Sequence, residues 1–200
     1  MYQRGLNAKM FKVIAKTALK TLLAAVIILC LAFGVASLGF PAKMAGFFEK
    51  CGNYEFATGY ASLNYTYSHK TADLARCFNN SAMAKNNGNV IHFGNMLLAD
   101  EGFDTYCKEN AGYRQFACGK IACARYVMGD GKTAFKLAEE TVLSEGGFPK
   151  NNALVSLMLA AEKDKEMLSA IKTAMEKIVP AESEAEYYAA VTDVLNGLLS

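Results

Sequence analysis

Residues 21–40 read TLLAAVIILCLAFGVASLGF, a stretch without a single charged side chain, and the uncharged run continues to Ala42. At 1.5 Å of rise per residue, a helix of this length reaches roughly 30 Å, the thickness of a bilayer's hydrocarbon core. Lys20 and Lys43 bracket the run, and Pro41 suits its exit end. A helix can cross lipid because it satisfies every backbone N–H and C=O internally. The stretch predicts one membrane-spanning helix over residues 21–42. A buried core helix is seldom so long, so free of charge and so flanked by lysines.

The charges on either side set its direction. Of 21 basic residues, Arg4, Lys9, Lys12, Lys16 and Lys20 fall in the first 40, where Asp and Glu are missing, so that part carries +5. The remaining 16 basic residues face all 19 acidic ones, so residues 41–200 carry −3. Basic residues near a span mark its cytoplasmic side. Only Lys43 and Lys50 follow the span closely, with Glu49 beside them. This predicts a single-pass protein of the cell membrane, with residues 1–20 in the cytoplasm and residues 43–200 outside it. Gly34-Val35-Ala36 offers small residues where a signal peptidase reads. A secreted helical protein after cleavage is therefore the rival, although the apolar run continues past that site through Leu38, Gly39 and Phe40. Cys30 follows Ile27-Ile28-Leu29, where a lipoprotein signal would carry small residues. Within residues 1–20, Lys9, Lys12, Lys16 and Lys20 form one helical stripe beside an apolar one of Leu6, Met10, Val13 and Ile14. That pattern suits the surface of an anionic inner leaflet.

On the far side of the span no alternating strand pattern is found, and apolar residues recur at helical spacing. Phe56, Tyr60, Leu63 and Tyr67 form one stripe, and Met167, Ile171, Ala174 and Ile178 another. Breakers separate the segments: Gly52-Asn53, Asn86 to Asn89, Gly129-Asp130-Gly131, Gly146-Gly147 with Pro149, and Pro180. Asn151 or Asn152 can cap the segment carrying Leu154, Leu157 and Met158. Ser183 followed by Glu186 predicts a capping box ahead of Tyr187, Val191, Val194 and Leu198. The chain is thus expected to be all-α.

Gly52 lies five residues before Ala57, and Gly129 five before Ala134. With Gly88 and Asp164 as further register marks, the intervals are 36, 41 and 35 residues. In these features residues 40–178 resemble the tetratricopeptide (TPR) family, whose helix-turn-helix unit is about 34 residues long. The unit from Gly39 to Lys70 matches best, with Ala45, Phe48, Gly52, Tyr54 and Ala57 in order. The second unit has Phe93 where the family favours Ala, the stretch Glu101-Gly102-Phe103-Asp104 lengthens the next interval, and the fourth unit lacks the turn glycine. The resemblance implies an α-solenoid over residues 43–180, closed by a helix in residues 181–200, with a concave surface for a protein or peptide. An irregular helical bundle is the other architecture compatible with the pattern. Tyr54, Tyr60, Tyr65 and Tyr67 are either core residues, as aromatics at helical spacing commonly are, or partner-binding anchors, with Tyr65 best placed for exposure.

Chemistry is thinly represented. Six cysteines include no C-x-x-C pair, and the two histidines are His69 and His92, so no metal site is expected. Cys118 and Cys123, five apart on one helix, point about 140° apart, which disfavours a disulfide between them. Gly131-Lys132-Thr133 resembles the end of a phosphate-binding loop, but Tyr126 stands where the motif needs glycine, and Phe116–Met128 reads as helix rather than strand. A net charge of +2 gives no case for nucleic acid. Asn64-Tyr65-Thr66 and Asn79-Asn80-Ser81 match the glycosylation sequon but fall within expected helices. No cofactor is implied. The expected partners are membrane lipid and a protein or peptide, held by a non-catalytic scaffold or assembly factor. The rival is an enzyme with a groove site using Cys107, His92 or a carboxylate.

Overall fold

The computed structural model describes residues 2–150 and 152–200, with side chains from Met10 onward. The described residues are helical throughout and contain no strand. Their order is α1 (Tyr2–Gly39), α2 (Pro41–Lys50), α3 (Tyr54–Ser68), α4 (Thr71–Met83), α5 (Asn87–Leu98), α6 (Phe103–Glu109), α7 (Tyr113–Val127), α8 (Gly131–Glu145), α9 (Ala153–Ala160), α10 (Lys165–Met175) and α11 (Ala185–Leu199), with a 3-10 turn at Glu182–Glu184.

Helix α1 is long and apolar enough to cross a membrane over Met10–Gly39, where the mean hydropathy is 2.6 and nothing in its most apolar window is buried. The Thr17 and Thr21 hydroxyls donate to the carbonyls of Val13 and Thr17, one turn back, leaving no stray polar group. The helix stops earlier than the expected Ala42. Phe40 breaks it, because the residue before a proline is pushed out of the helical region, and Pro41 then opens α2 at the position where its missing N–H costs nothing. At the other end, residues 2–20 continue into the same helix rather than forming a separate segment.

The units behind α1 are punctuated by one recurring turn. At the end of α2, the Gly52 N–H donates to Glu49 O and the Asn53 N–H to Phe48 O. Lys85 and Asn86 repeat this after α4, bonding Ala82 O and Ser81 O, and Gly129 and Asp130 repeat it after α7, bonding Tyr126 O and Arg125 O. This is the Schellman closure, with a left-handed residue at its apex. The side chain that follows caps the next helix, Asn53, Asn86 and Asp130 accepting from the N–H groups of Phe56, Asn89 and Thr133; Asp164 caps α10 in the same way, from Met167 N, without that closure before it. Those caps are 33, 44 and 34 residues apart, and the long interval contains the extra helix α6. Gly88 is therefore not a turn residue. It lies inside α5, and the left-handed position belongs to Lys85 at φ 56°. In this register Ala57, Val90, Ala134 and Leu168 each stand four residues after a cap, and all are buried. Phe93 is thus not the counterpart of Ala57.

Packing follows chain order. Neighbours α2 to α5 pack in succession, α5 meets α7, and α7, α8 and α9 pack mutually before α10 and α11. Two apolar clusters result. Leu74, Phe78, Val90, Leu97 and Phe103 build the first, and Leu154, Leu157, Leu168, Ile171 and Phe148 the second. Helix α7 joins them, giving Ala117, Ile121 and Ala124 to the first and Cys118 and Ala122 to the second. Its neighbours come close enough to require glycine. A Cβ on Gly94 would stand 2.5 Å from Ile121 Cγ1, and one on Gly119 would stand 3.3 Å from the Ala153 Cα.

The C-terminal closure differs from the expected capping box. Ser183 caps nothing; instead the Glu184 carboxylate accepts from Phe148 N at 2.6 Å and from Ala181 N at 3.1 Å. The buried stripe of α11 is Val191 and Leu195, flanked by Tyr187, Tyr188 and Leu198, while Val194 is exposed. Asn152 does cap α9, accepting from Val155 N at 3.0 Å. Asn151, the other candidate, lies outside the described residues.

Candidate functional surface

Helix α3 carries all four candidate tyrosines. Asn53 starts it, and His69, an exposed left-handed residue at φ 50°, ends it with its N–H on Tyr65 O. At about 100° per residue, the tyrosines divide between two faces. Tyr54 and Tyr65, eleven residues apart, share the side that also buries Thr58 and Ala61. Tyr60 and Tyr67 share the other side with Phe56 and Leu63. The expected apolar stripe of Phe56, Tyr60, Leu63 and Tyr67 is therefore real as a stripe but does not enter the core. Phe56 is 59% exposed and Tyr67 65%, whereas small Ala57 and Ala61 face inward. Tyr65 is half-buried against the first cluster, so exposure falls on Tyr67 instead.

The outer face is organised by aromatic stacking. Phe48 of α2 lies 5.3 Å from Phe56 and 5.4 Å from Tyr60, nearly parallel to the latter, with Phe47 edge-on behind it at 5.3 Å. The Tyr60 Oη is 2.9 Å from the Ser37 Oγ of α1, fixing the long helix to the domain. Beside this stack, Glu55, Phe56, Gly59, Tyr60 and Leu63 line an open groove of about 410 Å³. From the sequence, Phe48 had a place only in the repeat pattern and Phe47 none, although the adjacent aromatic pair so soon after the apolar run was the available signal.

Two further concavities, each about 500 Å³ in order of size, border the inner side. One lies between Tyr65, His69, Thr71 and Met96 and the acidic turn Asp100-Glu101. There Asp100 Oδ1 accepts from the Thr71 hydroxyl at 2.6 Å and from Gly102 N at 2.9 Å. The other gathers Cys51, Asn53, Tyr54 and Met83. The four tyrosines thus do not form one site: Tyr54, Tyr60 and Tyr65 line separate hollows, and Tyr67 stands in the open.

A polar clamp fixes α2 to α4. Arg76 donates through Nε and Nη2 to the two oxygens of Glu49, at 2.7 and 2.8 Å, and through Nη1 to Ala42 O at 3.1 Å. Asn80 adds a 2.8 Å bond to Glu49 Oε1. The Arg76 hydrogen bonds hold the Glu49 carboxyl below its ordinary pKa, against a smaller opposing push from burial. No spacing rule reveals this pair, since the two residues lie 27 positions apart.

Groups with chemical potential are scattered. Cys77 is fully buried and its thiol is pushed up to about 12 by burial. Cys107, half-buried on α6, is also raised by burial. His92 stands exposed on α5 with its ring against Phe93. All six cysteines are free thiols, and Cys118 and Cys123 share the unbroken helix α7. Among the described residues no three His, Cys, Asp or Glu side chains gather as a metal-binding group. Gly131-Lys132-Thr133 is the first turn of α8, with helix rather than strand before it. Lys12, Lys16 and Lys20 are exposed along α1, and the Lys9 side chain lies outside the described residues. Comparison with protein-family models, curated proteins and solved structures finds no match to this chain.

Proposed function

We propose that this protein is a single-pass membrane scaffold or assembly factor, without catalytic activity, whose helical array holds a protein or peptide outside the cytoplasm. The observation that carries the reading is an unburied apolar helix joined directly to an array with one repeating turn. A TPR-like solenoid is supported by the caps at 33 and 34 residues on either side of the α6 interval. It is further supported by the small residues Ala45 with Ala57 and Ala122 with Ala134, all fully buried, at matching distances from the caps of α3 and α8. Small side chains at these positions let paired helices approach closely.

The anchor contributes affinity without contacts. Confined to a membrane, the domain meets a membrane-bound partner at high effective concentration, so weak contacts suffice. Lys12, Lys16 and Lys20, together with Lys9, suit an anionic cytoplasmic leaflet. The partner is assigned to the hollows beside Tyr54 and Tyr65, because Tyr60 is engaged with Ser37 and Tyr67 lies on the opposite, outer side of α3.

The test uses the full-length chain with a C-terminal tag in intact cells. Externally added protease should remove the tag, and a membrane-impermeant maleimide should label exposed Cys51. Crosslinking should capture one reproducible protein, whose yield falls when Tyr54 and Tyr65 become alanine. A protected tag and unlabelled Cys51 would reverse the orientation. Equal crosslinking by the tyrosine variants would remove the inner hollows as the partner site.

A further inference from the structure

The two ends of the array are finished differently. At the C-terminal end α11 closes the second cluster, with Tyr187 and Tyr188 packed over the buried Phe148 at 5.8 and 5.0 Å. At the N-terminal end the outer face of α3 is covered only in part, by Phe48 of α2 stacked on Phe56 and Tyr60 and by Ser37 of α1 against Tyr60. Phe40, Phe47 and Phe56 are 54%, 55% and 59% exposed there, beside the apolar groove of α3. An aromatic surface of this kind calls for an occupant.

Its position identifies one. Ser37 lies two residues before the last residue of α1, and its hydroxyl meets Tyr60 in the middle of α3. The centre of α3 is therefore level with the final turn of the long apolar helix. The Ser37–Tyr60 hydrogen bond pairs two hydroxyls at the depth where water becomes scarce. Apolar phenylalanine rings lie here beside Tyr60, whose ring has an apolar body and a polar tip, with lysines close by, a composition suited to a membrane-water interface. Lys43 sits 5.1 Å over the Phe40 ring, and Lys50 ends the same short helix.

We propose that the outer face of α3, with Phe40 and Phe47 of the adjoining segment, is seated in the interfacial layer of the bilayer that α1 crosses, so that lipid covers this end of the array. The inference rests on reading α1 as a membrane span. It makes the domain a body held against the membrane in one orientation.

The chain contains no tryptophan, so a single introduced one reports its own surroundings. Phe56→Trp and Phe47→Trp are placed separately in the full-length chain. Each is reconstituted in vesicles of phosphatidylcholine and phosphatidylglycerol carrying bromines either on the acyl carbons next to the headgroup or near the acyl terminus. Leu31→Trp in α1 and Val179→Trp on a distant loop serve as references. Both interfacial variants should show blue-shifted emission, stronger loss of intensity with the shallow bromines than with the deep ones, and protection from aqueous iodide. Val179→Trp should behave as water-exposed. Quenching of Leu31→Trp by lipid bromines, together with unquenched, iodide-accessible Trp at 56 and 47, would overturn the interfacial seat, leave the span intact and free the face for a protein. An unquenched Leu31→Trp would remove the span and the proposal together.

Discussion

The half of the domain next to α1 (proximal) and the half away from it (distal) share α7 but differ in the mix of their polar ties and in how their aromatics are covered. In the proximal half, charged and polar side chains bridge helices: Glu49 to Arg76 and Asn80, Thr71 to Asp100, and Tyr113 to Asn79 at 2.9 Å. In the distal half, larger aliphatics fill the space. Glu184, Tyr187 and Tyr188 tie to the backbone at Phe148 N, Lys150 O and Met175 O, and side-chain bridges join Tyr126 to Asp164, Lys172 to Asn196 and Lys177 to Glu139. The proximal half also leaves aromatic surface uncovered, whereas the distal half closes over its own. The difference teaches that burial is distributed by position in the array. The end closed by α11 turns its aromatics inward over Phe148, and the end beside α1, a long apolar helix, leaves Phe40, Phe47 and Phe56 outside.

The most severe test of this division is Phe148→Ala. Removing a fully buried ring under Tyr187 and Tyr188 should cost about 3–5 kcal/mol, because the cavity cannot collapse around two further rings. Since α7 serves both clusters, the loss should appear as one cooperative transition at lower temperature, followed by circular dichroism of the full chain in detergent. Two separated transitions, with only the distal half melting early, would show that α7 does not couple the clusters.

Next in size is Gly94→Ala, aimed at that coupling helix from the proximal side. The new methyl would press on Ile121 Cγ1 and Cδ1, 2.5 and 2.6 Å away, inside a fully buried site. Overpacking of this kind should cost about 1–3 kcal/mol. The comparison to make is Gly59→Ala on the outer side of α3, where a Cβ meets nothing within 4 Å. There alanine should be neutral or slightly stabilising through its better helix propensity. Equal melting temperatures for the two variants would mean that α5 and α7 are not as closely crossed as described.

How far the sequence speaks differs in the same way between regions. Helix α1 was legible as one long apolar helix because its requirements are local and uniform: no charge, no breaker, sufficient length. Helical periodicity also located the second cluster, where Ile171, Ala174 and Ile178 lie buried as their spacing suggests. The first unit misleads, since Phe56, Tyr60, Leu63 and Tyr67 have the spacing of a core stripe, yet Ala57 and Ala61 are the inward side. Periodicity identifies a face but not what covers it. The register marks failed at Gly88 for a related reason. Glycine is the residue that best tolerates a left-handed backbone, but the turn places Lys85 there and accepts its strain, and only the Asx caps keep the true interval. The Ser183 box was outcompeted by Glu184, which reaches a backbone N–H brought in from 36 residues away. The candidate surface was partly visible through its tyrosines, but its division into two faces and its stacking on Phe48 are tertiary facts.

The smallest expected effect separates the halves by pH. The Glu49 carboxyl has its pKa lowered below its ordinary 4.5, chiefly by the Arg76 hydrogen bonds. A group depressed in the folded state binds its proton more readily when unfolded. Its stabilisation is therefore complete above the ordinary carboxyl range and is lost as pH falls through the folded value. Arg76→Ala should cost about 1 kcal/mol at pH 7, the scale of a bidentate pair near a surface. The difference in melting temperature between the variant and the parent should then shrink steadily on acidification from pH 5 to pH 3. Tyr188→Phe supplies the distal control. It removes a 2.8 Å bond from the Tyr188 hydroxyl to Met175 O at a comparable cost, and its deficit should stay constant over the same interval because that bond involves no carboxylate. If both deficits fade together, acid is loosening the whole domain rather than releasing the α2–α4 clamp. If neither fades, Glu49 keeps its charge to lower pH than one bidentate partner can explain, and Asn80 carries more of the clamp than Arg76 does.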